Sequence, residues 1–254
     1  MNETAIAWTD RTWNPASGCE RITEGCKFCY ALTFAERKRG TRAFPNGFDL
    51  TIRPHKLSEP LKLKQPSRIF VNSMSDLFWE AIPDDYRNQV LDVIEATPQH
   101  SYQVLTKRPE RMLEYARRRP LPSNFWAGVT IEANRHVGRA DLLRQVDVPV
   151  RFISAEPLLD GLTDLNLDGI AWLITGGESG THLHDPAIRA RRALVELIDR
   201  QWCPRADRID WVRSLRDRCR DGGVAFFHKQ WGGLTPQSTG AEVDGRGWRE
   251  WPTP

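Results

Sequence analysis

Six short apolar runs, rich in branched and aromatic residues, recur along the chain: RIFVNSM from Arg68, SYQVLTK from Ser101, FWAGVTIE from Phe125, VRFISAEP from Val150, IAWLITGG from Ile170 and VAFFHKQW from Val224. Each predicts a strand. FWAGV and IAWLI do not alternate apolar with polar positions, so both faces of these strands are expected to be covered. That is the pattern of a parallel sheet flanked by helices rather than of a half-wet antiparallel sandwich. Between the runs lie DDYRNQVLDVIEATP from Asp84, PERMLEYARRR from Pro109 and RHVGRADLLRQV from Arg135, whose Leu, Val, Ile and Met recur at helical spacing. AIAWTDRTW adds a first strand, and ALTFAERKRG the helix after it. The repeat predicts an α/β chain, a partial or full (βα) barrel of about six or seven parallel strands, with an open doubly wound sheet as the alternative.

A single domain is expected over residues 1–254. The tail over 234–254, with its DG turn, reads as a loop or short hairpin packing Trp248 and Trp251 onto the body. Hydrophobic residues at 40% and charged residues at 27% fit a soluble globular protein. No apolar run approaches the roughly 18 residues that span a bilayer, and MNETAIAWTD lacks the basic-then-apolar pattern of a signal peptide. A cytoplasmic protein without membrane contact is therefore expected. Disulfides are rare in that compartment, so clustered cysteines point to metal or redox chemistry. Cys203 and Cys219 lie in sequence that reads as helical, where burial as small hydrophobes is the expectation. The net charge of +3 permits an anionic substrate without demanding one.

The strand ends carry the polar residues: Asn72, Ser73 and Asp76; Thr106, Lys107 and Arg108; Thr130 and Glu132; Ser154 and Glu156; Thr175 to Ser179; and His228, Lys229 and Gln230. In a parallel barrel these share one face, the face where such enzymes do chemistry. Single Ser, Thr and Asp residues there also fit helix caps. The charged set Glu132, Glu156, Glu178 and Lys229 fits a polar pocket better. Lys107 and Arg108 could hold a carboxylate or phosphate, or pair with Glu132 or Glu156.

SGCERITEGCKFCYA, residues 17–31, places Cys19, Cys26 and Cys29 in one short segment of a chain with five cysteines. Three thiolates leave tetrahedral zinc one ligand short, so zinc would need His182, His184 or His228. A [4Fe-4S] cluster held by three cysteines instead leaves one iron open to a substrate or cofactor. Gly18 and Gly25, each before a cysteine, suit a loop that wraps tightly.

CERITEGCKFCYA resembles the cluster loop of the radical S-adenosylmethionine superfamily, with Phe28 at the aromatic position before the last cysteine. The first spacing, six residues between Cys19 and Cys26, is longer than the usual three. The resemblance implies a [4Fe-4S] cluster on Cys19, Cys26 and Cys29, S-adenosylmethionine on its open iron, an external electron donor, and radical chemistry. It also implies a cofactor-amine site, for which MSDLF after the RIFVNS run is placed by position, through Ser73 just before it and Asp76 within it. GGES is the other candidate, Gly176 and Gly177 giving close backbone approach and Glu178 or Ser179 accepting from the cofactor.

TWNPASGC, GCKFCYA, VLTKRPERM, GVTIE, ISAEPLL, WLITGGESG, DWVRSLRDRC and FFHKQWGG, in that order, are similar to a phage-associated three-cysteine-motif family of largely unknown function, often encoded beside a three-Cys-motif partner protein. Residues 181–210 depart from that pattern and read as an added helical insert. The arginine runs RRRP from Arg117 and RARR from Arg189 fit solvated helix faces; with the phage association they leave a nucleic acid or nucleotide as substrate or partner. The alternatives are a zinc- or cluster-stabilised binding protein for nucleic acid or a partner, without catalysis, and an interaction module with a degenerate site.

Overall fold

The structure, a computed structural model, describes residues 1–253. Eight strands form the main sheet: β1 (Asn2–Glu3), β2 (Arg11–Trp13), β3 (Arg68–Val71), β4 (Ser101–Thr106), β5 (Phe125–Thr130), β6 (Val150–Ala155), β7 (Trp172–Gly176) and β8 (Ala225–Gln230). Their order in the sheet is their order in the chain. A doubly wound sheet reverses direction at a switch point, whereas a sheet that never reverses is wound as a barrel wall. The fold is therefore the partial-barrel form of the expected α/β class, with six of its strands on the six apolar runs. Contacts divide the chain into two compact units, Met1–Val129 with Leu142–Val150, and Thr130–Asp141 with Arg151 onward.

In the first unit β2, β3, β4 and β5 run parallel, and β1 adds an antiparallel edge. All six residues of β5 are buried, as a strand covered on both faces must be. Helix α1 (Tyr30–Arg37) follows the cysteines, and α2 (Asp84–Glu95) buries Tyr86, Val90, Leu91 and Ile94 at helical spacing. Asp84 and Asp85 lie in the first turn of α2, where carboxylates meet the positive end of the helix dipole. Arg87 is also buried on α2. It donates to the carbonyls of Leu77, Trp79 and Ile82, so its guanidinium holds the loop before the helix. Helix α3 (Pro109–Arg118) starts on a proline, whose missing N–H costs nothing at a first helical position.

In the second unit β6, β7 and β8 run parallel. Aromatic rings fill this core: Phe152 meets Trp172 at 5.6 Å, and Trp172 meets Phe227 edge-on at 6.2 Å. Helix α4 (Arg139–Arg144) is short, and α6 (Ile209–Asp221) buries Val212, Leu215 and Cys219. Among the described residues, no helix is long and apolar enough to cross a membrane.

The segment 181–210 is helical only in its first half. A 3-10 turn (Thr181–His184) and α5 (Pro186–Arg192) give way to an antiparallel hairpin, Val195–Ile198 with Gln201–Pro204. Asp199 and Arg200 at its tip both take positive φ, 47° and 66°, the two-residue turn that matches strand twist. Cys203 thus lies half-buried on a strand, not on a helix, whereas Cys219 is a buried helical residue. In the tail, Glu242–Val243 pairs with Arg246–Gly247 around Asp244 and Gly245, again with positive φ. Trp248 packs edge-on to Phe226 at 6.2 Å and Trp251 to Phe227 at 5.2 Å.

Two outcomes follow from this packing. A Cβ on Gly177 would stand 1.8 Å from the Trp231 carbonyl oxygen, which is backbone and cannot rotate away. Gly177→Ala should cost about 3 kcal/mol, read as a lowered urea midpoint. In the tail, hydrogen bonds from Arg213 and then Arg216 hold the Asp244 carboxyl at about 2. A depressed carboxyl stabilises the fold above its unfolded value, near 4, and loses that contribution as pH falls through about 2. Asp244→Asn should therefore lower the urea midpoint at pH 7, with the gap from the parent protein closing at pH 3 and below.

Candidate metal centre and strand-end clusters

The cysteine segment begins as a short strand, Ala16–Ser17, paired with Thr51–Ile52. Gly18 then turns with φ of 96°, and any Cβ there would meet the Asp49 carbonyl oxygen at 2.5 Å, so only glycine fits. The segment is laced to the loop after β3. Gly18 N–H donates to Met74 O at 2.9 Å, Ser75 Oγ to Ala16 O at 3.2 Å, and Tyr30 Oη to Ser73 O at 2.7 Å. The Asn14 side chain joins the same loop through Ser73 Oγ at 3.1 Å and the Met74 N–H at 3.0 Å. Cys26 closes a 3-10 turn, and Cys29 immediately precedes α1. Cys19 and Cys29 pack against Ala31, Ala35 and Phe48, and all three thiols are half-buried. Phe28 is half-buried too, with the Lys27 ammonium 5.4 Å from its ring centre.

Two cations from the end of β4 face these thiols. Asp76 organises them. Its carboxylate accepts from Thr106 Oγ1 at 2.8 Å, the Lys107 N–H at 3.1 Å and Arg108 Nη1 at 3.2 Å. Arg108 is nine-tenths buried and also donates to Glu80 at 3.1 Å. Its Nη1 reaches Cys19 Sγ at 3.8 Å, and its Nη2 is buried without a partner. Burial, with Asp76 adding to it, pushes the Cys19 thiol up to about 11 against the opposing Arg108. At Cys26 burial also disfavours the thiolate, but the Lys107 ammonium and hydrogen bonds from Ile22 and Thr23 outweigh it. That thiol lies below its ordinary value.

Positive charge beside two of the three thiols, Arg108 at Cys19 and Lys107 at Cys26, suits an anionic group such as an iron–sulfur cluster. Among the described residues, no three His, Cys, Asp or Glu side chains converge on one ion position. The histidines weighed as a fourth zinc ligand belong to the second unit. His228 is fully buried, 2.9 Å from Thr175 Oγ1, and burial pushes it down to about 3. His182 faces Glu178 at 3.4 Å, and His184 is exposed.

In the second unit the strand-end charges meet in pairs. Glu132, fully buried, accepts from Arg139 at 2.9 Å. Glu156 pairs with Lys229 at 2.9 Å and accepts from Ser154 Oγ at 3.0 Å. Gly176 leaves room for that carboxylate, since a Cβ would lie 3.0 Å from Glu156 Oε1. Glu178 takes a two-pronged bond from Arg192, 2.7 Å at each oxygen, and Gln230 donates to Ser179 Oγ at 3.2 Å. The GGES turn, expected to cradle a cofactor, is thus occupied by protein: Gly177 admits the Trp231 backbone, and Glu178 binds arginine. Asn14, Tyr30, Glu80, Arg139 and Arg192 escape the sequence reading. Arg192 sits in the RARR run that reads as a solvated face, Asn14 and Tyr30 lie inside TWNPASGC and GCKFCYA without standing out there, and Glu80 and Arg139 carry no motif.

No curated protein matches this chain. Among solved structures it is similar to a cysteine-to-serine variant of spore photoproduct lyase, at 14% identity and a TM-score of 0.52 over 87% of this chain and 74% of that one. A tyrosine-to-phenylalanine variant of the same enzyme gives 13% identity and a TM-score of 0.51 over 86% and 74%. At such identities the likeness shows the fold, the parallel α/β sheet wound as a partial barrel. A further structure of that enzyme, with bound AdoMet and dinucleoside spore photoproduct, matches at 14% identity and a TM-score of 0.48 over 83% and 72%. Residues 3–195 and 203–252 match the family described as protein of unknown function (DUF5131), leaving between them only 196–202, inside the hairpin, and the chain belongs to that family.

Proposed function

We propose that this protein is a radical S-adenosylmethionine enzyme that acts on a nucleotide or nucleic acid, with a [4Fe-4S] cluster on Cys19, Cys26 and Cys29. The observation that carries the reading is the three-cysteine segment with Arg108 at Cys19 and Lys107 at Cys26, both cations from the end of a parallel strand, on a fold shared with spore photoproduct lyase. When bound, the cluster and cofactor supply one-electron cleavage of a sulfur–carbon bond and hydrogen abstraction from a substrate, the electron coming from an external donor. The chain's own residues hold and tune that group. Asp76 fixes the Arg108 guanidinium, which donates toward Cys19 Sγ. Lys107 offsets charge at Cys26, and Ser73 with Tyr30 fastens the segment so that the thiols keep their spacing. Phe28 offers a half-buried ring for an adenine face. In the second unit Glu156 and Lys229 form an accessible acid–cation pair suited to orienting a polar substrate group, while Glu132 and Glu178 hold arginines in place. The reading rests on neither a phage association nor a partner protein.

Anaerobic purification followed by iron and sulfide analysis tests it, with electron paramagnetic resonance of the reduced protein with and without S-adenosylmethionine. About four irons per chain, a spectrum that changes with the cofactor, and loss of iron in Cys26→Ala are expected. Bound zinc in place of iron, or a spectrum indifferent to the cofactor, overturns the reading. Hydrogen bonds to cluster sulfur raise its potential. Arg108→Met should therefore shift the cluster midpoint to more negative values in a spectroscopically monitored redox titration, with iron content kept.

A further inference from the structure

Beside the cysteine segment, within the first unit, lies a cavity of about 380 Å³ lined by Asn14, Ser17, Arg42, Ala43, Phe44, Arg53, His55, Lys56 and Met74. Four of its lining side chains are basic and none is acidic. Arg53 is the unusual one. It is only 8% exposed, yet no carboxylate meets it. Its Nε and Nη2 donate to Ser17 Oγ at 3.3 and 2.9 Å, and Nη2 also to Ala43 O at 2.5 Å, all neutral acceptors. Nη1 has no hydrogen bond. A buried guanidinium without a countercharge is costly, and proteins normally pair it. Desolvation accordingly holds this guanidinium below its usual value, with only Tyr86 opposing.

We infer that this cavity is a phosphate-binding subsite for a nucleotide unit, with Arg53 as its buried anchor. A phosphate group supplies the missing countercharge and can take the free Nη1 donor, while Arg42 and Lys56 add charge at the rim and His55 adds a ring nitrogen that can hydrogen-bond. Phe44, half-exposed, lies with its ring centre 5.5 Å from the Arg53 guanidinium, and its remaining surface and the Met74 side chain line the same cavity as apolar surface for a base. Ser17, which Arg53 grips, is two residues before Cys19 on the same stretch of chain. A nucleotide held there is delivered next to the cysteine segment. The inference rests on the proposed function for the chemistry nearby, but the cavity's charge argument does not depend on a cluster.

Fluorescence anisotropy of a fluorescein-labelled octathymidylate tests it, with the full chain purified anaerobically and salt varied. The double variant Arg42→Ala/Lys56→Ala, whose side chains make no internal hydrogen bonds, should weaken binding at least about tenfold and reduce the salt slope by about one. Arg53→Met should do the same where it folds. Arg191→Ala, on α5, should leave binding unchanged. Competition by thymidine 5′-monophosphate at concentrations near those of the oligonucleotide assigns the subsite to free nucleotides; failure to compete assigns it to a strand. The variant Cys19→Ala/Cys26→Ala/Cys29→Ala should still bind, which separates this result from the fate of the cluster reading. Unchanged affinity in the double variant, or an equal loss in Arg191→Ala, overturns the subsite.

Discussion

The Asp76 carboxylate is the constraint on which the candidate centre depends. It lies nearly buried at the end of the loop after β3 and accepts four kinds of donor: the Phe78 N–H, Thr106 Oγ1, the Lys107 N–H and Arg108 Nη1. Those bonds join two adjacent strand ends and aim a guanidinium at Cys19. A buried carboxylate tolerates this environment because every oxygen is satisfied and one partner is charged. Without it, Arg108 would be a buried charge beside a thiol with Glu80, largely exposed, as its remaining acid. Between the short strand Ala16–Ser17 and α1 the cysteine loop has a single 3-10 turn, so its shape comes from Asn14, Gly18 and Tyr30 clasping the same loop that carries Asp76.

The strands were legible because burial on both faces leaves a direct mark, an unbroken apolar run, as at Phe125–Thr130. Strand order was only weakly legible, since periodicity is the same for a barrel wall and a doubly wound sheet, and only the pairing separates them. The hairpin over 195–204 was misread for a local reason. Its turn residues, Asp199 and Arg200, are not the Asn-Gly or Asp-Gly pair that announces such turns, although both adopt the required left-handed backbone. The tail, whose turn is Asp244-Gly245, carried that signal and reads correctly as a possible hairpin.

Of the candidate site, the thiols and the cations stand out in sequence, because Cys and Lys-Arg at strand ends are chemically conspicuous. The supporting residues do not. Gly177 looks like a cofactor cradle in sequence, but its lack of a side chain is needed by the Trp231 backbone, a neighbour 54 positions away that no local pattern names. Arg53 and Ser17 are equally silent: their pairing exists only because Ala16–Ser17 and Thr51–Ile52 lie side by side.

Charge balance separates structural from functional polarity within each unit. In the second unit Glu132, Glu156 and Glu178 each meet a cation at 2.9 Å or less. The Glu132 and Glu178 pairs are complete and explained by folding alone, whereas the Glu156–Lys229 pair keeps partial exposure. In the first unit Arg108 has two acids yet keeps a buried Nη2 without a partner, and Arg53 has no acid at all. Folding gains nothing from desolvating a cation and leaving it uncompensated, since a neutral side chain of similar volume would pack there at lower cost. Arg53 is the cation left without an acid, Arg108 keeps only a spare donor, and both contact the cysteine segment, Arg108 through Cys19 and Arg53 through Ser17. Two anions on that segment, a cluster on one side and a phosphate on the other, would satisfy both at once.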